Sequence, residues 1–298
     1  MRVFEISRMT NRNGPGIRTL VHFKGCPLRC VWCSTPESQD TAFELRRIPE
    51  RCIGCGACVS VCPSGAVSPG DGASEVDRSL CTRCFACTEV CAPKALTVIG
   101  ADWTPEALAA EILKDRIFFD YSGGGVTFSG GEPLMHVDDG MAELYRLLKE
   151  AGVSIGVDTT GFVPWASVER LLPFIDFFLW DLKVMDPVRH RELTGVGNEL
   201  ILENLARVDA YGTKVFIRCV QVPGMTDGDE NLTATCGFLS SLSCVQELDL
   251  INFHNLGASR YRSVGRVSPV LDLEPLGADE LERKRELVER LGIRCRIV

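Results

Sequence analysis

The sequence predicts an α/β protein, organised as a partial, open barrel of six βα units with a small cysteine-dense domain inserted near its beginning. After residue 100, short apolar segments alternate with amphipathic ones, which is typical of parallel strands joined by helical crossovers. Between residues 41 and 97, cysteines recur at gaps of two and three residues and amphipathic periodicity is weak. We find about six units rather than eight, so an open barrel fits better than a closed one.

Composition limits the function classes. The chain has 298 residues, 45% of them hydrophobic, and a net charge of −8, so it can bury a large core. Lys and Arg are scattered, which argues against nucleic acid or an anionic membrane as partner. There is no apolar leader and no run of membrane-spanning length, so a cytosolic protein is expected. In such a chain the 15 cysteines indicate metal ligands rather than disulfides.

The elements can be justified in chain order. Two short strands, 3–6 and 19–24, flank the turn-rich segment 13–18. After the insert, Thr104 as N-cap, Pro105 and Glu106 predict a helix over 104–115. Apolar runs then predict strands, and the intervening periodic segments predict helices, as follows: strands 125–129, 153–159, 175–183, 214–222, 247–252 and 293–298; helices 138–151, 164–171, 199–211, 231–242 and 278–291.

The second strand leads into three closely spaced cysteines, Cys26, Cys30 and Cys33, with no fourth nearby. A structural zinc site or a closed four-iron cluster uses four protein ligands. Three thiols can instead hold a [4Fe–4S] cube whose remaining iron is open to something that is not protein. Half of a zinc site completed elsewhere, part of a disulfide framework, or three small buried residues are the alternatives.

The insert contains an internal repeat. The spacing C-x2-C-x2-C-x3-C occurs twice, and it is the bacterial ferredoxin spacing, in which the fourth cysteine crosses to the other cluster. We therefore predict a ferredoxin-like domain over 41–97 within a barrel formed by 1–40 and 98–298; two zinc knuckles are the alternative. The predicted ligand sets are Cys52, Cys55, Cys58 and Cys91 for one [4Fe–4S] cluster, and Cys81, Cys84, Cys87 and Cys62 for the other. Four isolated cysteines, Cys219, Cys236, Cys244 and Cys295, are predicted core residues.

Polar and glycine-rich residues follow successive strands of the predicted TIM-like barrel, at the carboxyl ends where such barrels build active sites. Taken singly, each has an ordinary explanation as a loop, a surface pair or a structural histidine. Their joint placement predicts one active-site mouth. The residues are segment 129–133 (Ser-Gly-Gly-Glu-Pro), segment 158–161 (Asp-Thr-Thr-Gly), Asp181-Leu182-Lys183, Arg218 and His254.

These motifs resemble a known family. The three-cysteine loop with Trp32, followed by segment 129–133, resembles the radical S-adenosylmethionine enzymes. Segments 13–19, 121–134 and 181–183 are similar to the glycyl-radical-enzyme activating enzymes, and the insert to their subgroup with two additional clusters. The resemblance implies an anaerobic oxidoreductase that reductively cleaves S-adenosylmethionine. The resulting 5′-deoxyadenosyl radical then takes a hydrogen atom from a glycine Cα of a partner glycyl radical enzyme.

The resemblance also implies cofactors and residue roles. It implies three [4Fe–4S] clusters, with flavodoxin or ferredoxin as reductant. Cys26, Cys30, Cys33, Asp181 and Lys183 would be the catalytic residues. The S-adenosylmethionine contacts would be Trp32, Ser34, Gly130, Gly131, Glu132, Asp158, Asp181, Leu182, Lys183, Arg218 and His254. A monovalent cation would lie between Asp158 and the carbonyl groups of Thr159 and Leu179.

The chain departs from the family pattern at three positions. Asn13 stands where Asp is common, and Thr35 and Thr160 stand where Asn is usual. Each substitute keeps a hydrogen-bonding group. Two other functions remain open at this stage: a radical S-adenosylmethionine enzyme that acts on a small molecule or another peptide, and an iron–sulfur electron-transfer protein.

Overall fold

The computed structural model describes residues 1–298, and it begins with an antiparallel hairpin. Its strands are β1 (Arg2–Thr10) and β2 (Arg18–Phe23), and β2 delivers the three-cysteine loop. β1 is longer than the predicted 3–6, because irregularities at its register with β2 obscure the alternation in the sequence.

The insert has its own small sheets, apart from the main one. β3 (Glu44–Arg47) pairs with β6 (Leu96–Ile99), and β4 (Val67–Ser68) pairs with β5 (Glu75–Val76). Two single-turn helices, α1 (Ala57–Ser60) and α2 (Ala86–Glu89), each carry the third cysteine of a repeat. The outer pair of strands encloses residues 44–99, close to the predicted 41–97, whose exact limits stay a prediction.

The rest of the chain alternates helix and strand, as the sequence predicts. The elements are β7 (Ala101–Asp102), α3 (Pro105–Leu113), α4 (Arg116–Ser122), β8 (Gly125–Gly130), α5 (Asp139–Glu150), β9 (Ser154–Thr159), α6 (Trp165–Leu171), β10 (Phe177–Asp181), α7 (Pro187–Thr194), α8 (Glu199–Tyr211), β11 (Lys214–Gln221), α9 (Asp229–Leu239), β12 (Val245–Asn252), α10 (Gly257–Ser263), α11 (Ala278–Arg290) and β13 (Cys295–Ile297). None of these helices combines the length and apolar character needed to cross a membrane.

One nine-stranded sheet organises the molecule, in the order β13-β12-β11-β10-β9-β8-β2-β1-β7. The strands from β2 to β13 are mutually parallel, whereas β1 and β7 add an antiparallel edge. β7 and β13 are the two edges and do not pair with each other, so the barrel is open and the predicted fold class is confirmed.

The floor of the barrel explains two of the sequence motifs. Arg18, fully buried, donates to Thr127 Oγ1 at 2.7 Å and to the carbonyl of Pro15 at 3.0 Å, and its guanidinium lies 4.8 Å from the Phe177 ring. A Cβ atom at Gly124 would lie 1.8 Å from the carbonyl oxygen of Ile17, so these two loops can only meet through glycine. Segments 13–18 and 123–125 therefore close the barrel bottom.

The core fills the space between the sheet and its helices. Phe128 of β8 stacks on Tyr145 of α5 with ring centroids 4.8 Å apart. The isolated cysteines are all buried in this core, as predicted: Cys219, Cys236, Cys244 and Cys295.

The predicted local structure differs from the observed one at one strand end and at three helices. The strand predicted over 175–183 ends at Asp181, so Lys183 lies beyond it and does not share a strand face with Asp181. Helices α4, α7 and α10 were not predicted. α7 is mostly polar and buries only His190, Leu193 and Thr194, so it lacks the apolar stripe by which a helix is recognised.

Candidate functional site

The three-cysteine loop is fixed to the barrel by its backbone. The N–H of Gly25 donates to the carbonyl of Ser38 at 2.6 Å, and those of Arg29 and Val31 donate to Thr194 and Leu193 at the end of α7. α7, which the sequence did not reveal, is thus the element that holds this loop. Cys26, Cys30 and Cys33 all line one cavity of about 310 Å³ at the carboxyl ends of the strands.

The electrostatics of the thiols suit a metal centre. Burial raises the pKa of Cys30 to about 11, against the opposing positive charge of Lys183, and burial also raises the pKa values of Cys26 and Cys33. Thiols in such surroundings stay protonated unless a metal takes the place of the proton. No three His, Cys, Asp or Glu side chains converge on one point. The three thiols line one cavity instead. This arrangement fits a cube-shaped cluster that lacks a fourth protein ligand.

Charged side chains alternate in sign across the opposite wall. Asp158 Oδ2 accepts from Arg218 Nη1 at 2.9 Å and from Ser129 Oγ at 2.9 Å. Lys183 Nζ donates to Asp181 Oδ2 at 3.0 Å, although Lys183 lies beyond the strand. Register accounts for the grouping, because Asp181 on β10 pairs with Arg218 on β11.

Burial controls the charge states of these pairs. Burial raises the pKa of Asp158, while the Arg218 guanidinium works in the opposite direction. Burial disfavours the charge on Lys183, but Asp181 together with Cys30 and Cys26 outweighs that effect and raises the pKa of this ammonium group above its ordinary value. Lys183 is therefore a permanent cation within the cavity.

The glycine-rich turn, residues 129–133, lines the cavity and also packs against the three-cysteine loop. Gly130 and Gly131 both line the cavity. A Cβ atom at Gly131 would lie 2.1 Å from the carbonyl oxygen of Gly25, so this glycine is required by the approach of the cysteine loop. The ligand contacts that the resemblance implies for both glycines stay a prediction, and the contact described for Gly131 is with protein backbone.

Two predicted ligand contacts do not reach the cavity. Glu132 is 1% exposed and accepts from Thr159 Oγ1 at 2.6 Å, from Thr160 N at 2.9 Å and from Leu134 N at 3.1 Å. Its carboxylate is occupied by the chain itself, so it holds the two loops together. Leu182 packs in the core because its neighbours Asp181 and Lys183 take the inward positions.

The other predicted contacts line the cavity. Trp32 is buried against Phe253 and Val222, while Ser34 and His254 are exposed at the rim. Thr159 lines the cavity, but Leu179, the third predicted cation ligand, does not. Inward-facing strand residues that the sequence reasoning missed are Leu20, His22, Val220 and Ile251. The alternation along β2, β11 and β12 could have found them, since Val220 shares a face with Arg218.

The insert groups its cysteines across the repeat. Cys52, Cys55, Cys58 and Cys91 line one cavity of about 70 Å³, which is the set that the crossed ferredoxin pattern predicts. Burial and the neighbouring thiols of Cys81, Cys58, Cys62 and Cys84 raise the pKa of Cys87 to about 11. The other thiols of the second predicted set therefore lie near Cys87, as does Cys58 of the first set, and the division into two clusters stays a prediction.

Buried ion pairs join the insert to the cysteine loop. Lys24, at the end of β2, has a fully buried side chain that donates to Glu44 Oε2 at 3.0 Å and to the Glu37 carbonyl at 2.6 Å. Glu37 Oε1 accepts from Arg260 of α10 at 2.7 Å and from Arg46 of β3 at 3.2 Å. The insert, the loop and the C-terminal segment are thus held by one network.

Comparison with known proteins agrees with this geometry. The Radical SAM superfamily matches residues 81–236, and a 4Fe-4S dicluster domain matches residues 44–92. The chain is 33% identical to the indoleacetate decarboxylase activating enzyme of Tractidigestivibacter scatoligenes over 98% of this chain and 96% of that one. It is 36% identical to the isethionate sulfite-lyase activating enzyme of Nitratidesulfovibrio vulgaris over 96% and 94%.

A solved structure extends the comparison to the fold. A domain of the pyruvate-formate lyase-activating enzyme from Bacteroides vulgatus superposes with a TM-score of 0.50 at 25% identity, covering 59% of this chain and 99% of that one. Near-complete coverage of the relatives, together with the dicluster segment and the cavity that gathers three cysteines, leads to one conclusion. The chain belongs to the radical S-adenosylmethionine superfamily, among the activating enzymes of glycyl radical enzymes.

Proposed function

We propose that the protein generates a radical on a glycine Cα of a partner glycyl radical enzyme. The observation that carries this proposal is the single cavity that gathers three thiols, two buried ion pairs and an exposed rim at the open end of the barrel. The relatives named above are activating enzymes of such partners, which supports the same class of partner here.

Cys26, Cys30 and Cys33 would hold a [4Fe–4S] cluster whose fourth iron has no protein ligand. When bound there, the cluster supplies the electron that cleaves S-adenosylmethionine into methionine and the 5′-deoxyadenosyl radical, which takes the hydrogen atom from glycine. The residues of this chain have to bind and orient the ligand and keep water away. Burial of the thiols supports that role, because a poorly solvated site excludes side reactions.

The alternating charges suit the methionine part of the ligand. S-adenosylmethionine carries a carboxylate, an ammonium and a sulfonium group within a few bonds. Lys183 and Arg218 offer cations, and Asp158 and Asp181 offer anions, all in low-exposure positions. Gly130 and Gly131 leave room beside them. We propose that these residues orient the ligand, and that Asp181 and Lys183 are the nearest to the reacting centre.

The apolar rim suits the nucleoside part. Trp32 offers an aromatic surface for adenine, and Ser34 and His254 line the same cavity. A monovalent cation beside the ligand carboxylate would use Asp158 and the carbonyl of Thr159. Leu179 lies outside the cavity, and the Asp158 carboxylate already accepts a hydrogen bond from Arg218. The observed contacts therefore support this cation less well than they support S-adenosylmethionine.

The insert would carry two further [4Fe–4S] clusters, one on Cys52, Cys55, Cys58 and Cys91 and one on Cys81, Cys84, Cys87 and Cys62. We propose flavodoxin or ferredoxin as the reductant and the cytosol as the location. A reducing compartment keeps these thiols available for metal, which supports that location.

Anaerobic reconstitution followed by dithionite reduction tests the function. We expect iron and sulfide equivalent to three four-iron clusters, and formation of 5′-deoxyadenosine from S-adenosylmethionine. A pure electron-transfer protein would yield no 5′-deoxyadenosine. Electron paramagnetic resonance after mixing with the partner would then show a glycyl radical, whereas an enzyme acting on small molecules would leave the partner without one.

The Cys30→Ala variant is the matched control. It removes one ligand of the three-cysteine site and leaves the insert untouched, so S-adenosylmethionine cleavage should be abolished while the two insert clusters remain detectable. Retained cleavage would disprove the assignment.

A further inference from the structure

The insert contains two cysteine repeats, Cys52–Cys62 (the first half) and Cys81–Cys91 (the second half). They have the same backbone conformation at three positions but different side chains there. The φ angle is positive at the third and fifth residues of each repeat and at the third residue after its last cysteine. The first half places glycine at all three, and the second half places larger residues there: Gly54, Gly56 and Gly65 (φ +69°, +70° and +64°) correspond to Arg83, Phe85 and Lys94 (φ +57°, +62° and +56°). A left-handed conformation costs a residue with a side chain about 1–2 kcal/mol.

Two of these strained side chains face the segment that follows the three-cysteine loop. Arg83 Nη1 donates to Asp40 Oδ2 at 3.2 Å. The Phe85 ring meets Phe43 edge-on, with centroids 6.4 Å apart. In the first half, by contrast, nothing lies within 4 Å of a Cβ atom built on Gly54 or Gly56. Asp40 belongs to the barrel segment 1–40 and Phe43 to the insert, so the Arg83–Asp40 pair is the contact that attaches the second half to the barrel.

Arginine side chains also collect beside the second half. A cavity of about 210 Å³ is lined by Cys81 together with Arg78, Arg83 and Arg266. Its one acidic residue, Glu44, is already paired with Lys24 and Arg266. Arg78 donates to the carbonyls of Leu45 at 2.6 Å and Ser263 at 3.2 Å, and carbonyl groups do not cancel its charge. Arg83 is paired with Asp40 and Arg266 with Glu44, but Arg78 has no carboxylate partner, so the surroundings of Cys81 carry net positive charge.

The first half lies in different surroundings. None of the residues that line the cavity of Cys52, Cys55, Cys58 and Cys91 is charged. Arg47 donates to the carbonyl of Ser74, one of the lining residues, at 2.6 Å. Its charge is balanced by Glu75, to which it donates at 2.9 Å. The two predicted clusters thus differ in local charge although their ligand sets are alike.

We propose that the arginine cavity raises the reduction potential of the Cys81 cluster above that of the Cys52 cluster, so that the first electron entering the insert resides on the half attached to the barrel. One electron converts a [4Fe–4S]²⁺ core to the 1+ state and adds a negative charge. Nearby guanidinium groups stabilise that charge, while an uncharged cavity does not. The inference rests on the proposed ligand sets.

Potential-controlled electron paramagnetic resonance on the reconstituted enzyme, with dithionite as the electron donor, tests this. We expect two separate one-electron steps from the insert. The ratio of reduced to oxidised Cys81 cluster should exceed that of the Cys52 cluster at least tenfold, which is about 59 mV for a one-electron couple. The Cys55→Ala variant should keep the reduction step at the higher potential, and the Cys84→Ala variant should keep the step at the lower potential. Together the two variants assign each signal to its cluster.

Arg83→Gly is the decisive variant. It removes a cation and gives the second half the residue that the first half uses at the same backbone position. The Arg83–Asp40 pair that it also removes is exposed, so its loss should cost little stability. We expect only the higher step to move to lower potential. Lys94→Gly makes the same kind of exchange at a residue that lines neither cavity, and it should leave the separation unchanged.

Equal potentials, a higher potential at the Cys52 cluster, or no movement on Arg83→Gly would overturn the inference. Each of these results presupposes that both clusters are present. Failure of the proposed function would instead appear as missing iron and sulfide, or as absence of 5′-deoxyadenosine, so the two failures are distinguishable.

Discussion

His22 combines an ionisable ring with an almost closed environment. It lines the cavity from β2, packs against the Phe4 ring at 5.4 Å and lies 3.5 Å from Ser7 Oγ. Burial lowers the pKa of His22 to about 4, with Arg260 adding to the effect and Glu5 opposing it. The neutral ring is therefore the native form at neutral pH, and the folded chain protonates it only at about pH 4.

The pH dependence of stability follows from that shift. The unfolded chain takes up the proton near pH 6.5 and the folded chain near pH 4, so stability falls as the pH falls between these values. At pH 5 the loss from this residue should be about 2 kcal/mol. We expect the anaerobic melting temperature of the His22→Phe variant to change less between pH 7 and pH 5 than that of wild type.

The exposed His254 provides the control, because His254→Phe should keep the wild-type pH dependence. An equal acid-induced fall in melting temperature for His22→Phe and wild type would contradict the environment described for His22.

At the scale of elements, periodic segments were predictable and capped polar ones were not. Helix α8 was predicted at its observed limits because its apolar stripe is continuous. α7 has no such stripe, and its boundaries are marked only by Asp186, which accepts from the Arg189 N–H, by Pro187, and by Gly195 at φ +86°. Those three residues could have revealed it. Its contact with the cysteine loop depends on long-range packing, which local sequence does not contain.

Part of the candidate site was also predictable from the order of the elements. Strand ends place Asp158, Asp181 and Arg218 at one mouth once the strands are parallel and in order. The sequence did not reveal that the Glu132 carboxylate accepts hydrogen bonds from Thr159 and Thr160. The approach of these two loops to each other depends on tertiary structure.

The insert is an element whose stability depends on its metal. Its buried core has only seven residues, three of them cysteines, so we expect the predicted clusters to supply much of the folding energy. The Cys84→Ala variant removes one ligand of the second set. We expect iron and sulfide to fall by about a third or more and the insert to become sensitive to protease, while S-adenosylmethionine still binds at the three-cysteine site. Unchanged cluster content would contradict the ligand pairing.

Across the whole molecule, the Lys24–Glu44 pair connects the barrel to the insert. Both side chains are almost completely buried, and Glu44 also receives Arg266. Removal of Glu44 leaves the buried Lys24 ammonium without its paired carboxylate, so Glu44→Gln should lower the free energy of unfolding by about 3–5 kcal/mol. Lys24→Met should cost less, because Arg266 remains paired with Glu44. The double variant should cost less than the sum, as measured by a double-mutant cycle on anaerobic unfolding.

The exposed pair Lys149–Asp176, at 2.8 Å, is the matched control. Lys149→Met should cost less than about 1 kcal/mol because solvent screens that pair. Additive losses at Lys24 and Glu44 would show that the two side chains do not act together.

The unpaired edges of the main sheet have a topological consequence. A complete ring of strands could be entered along its axis only by a chain end or by a tightly folded bend. Here β7 and β13 leave the ring interrupted on one side. The middle of a long polypeptide would need no free end to pass between these edges. Arg260 of α10, which follows β12, is paired with Glu5 of β1 at 2.9 Å, so this ion pair would have to open first.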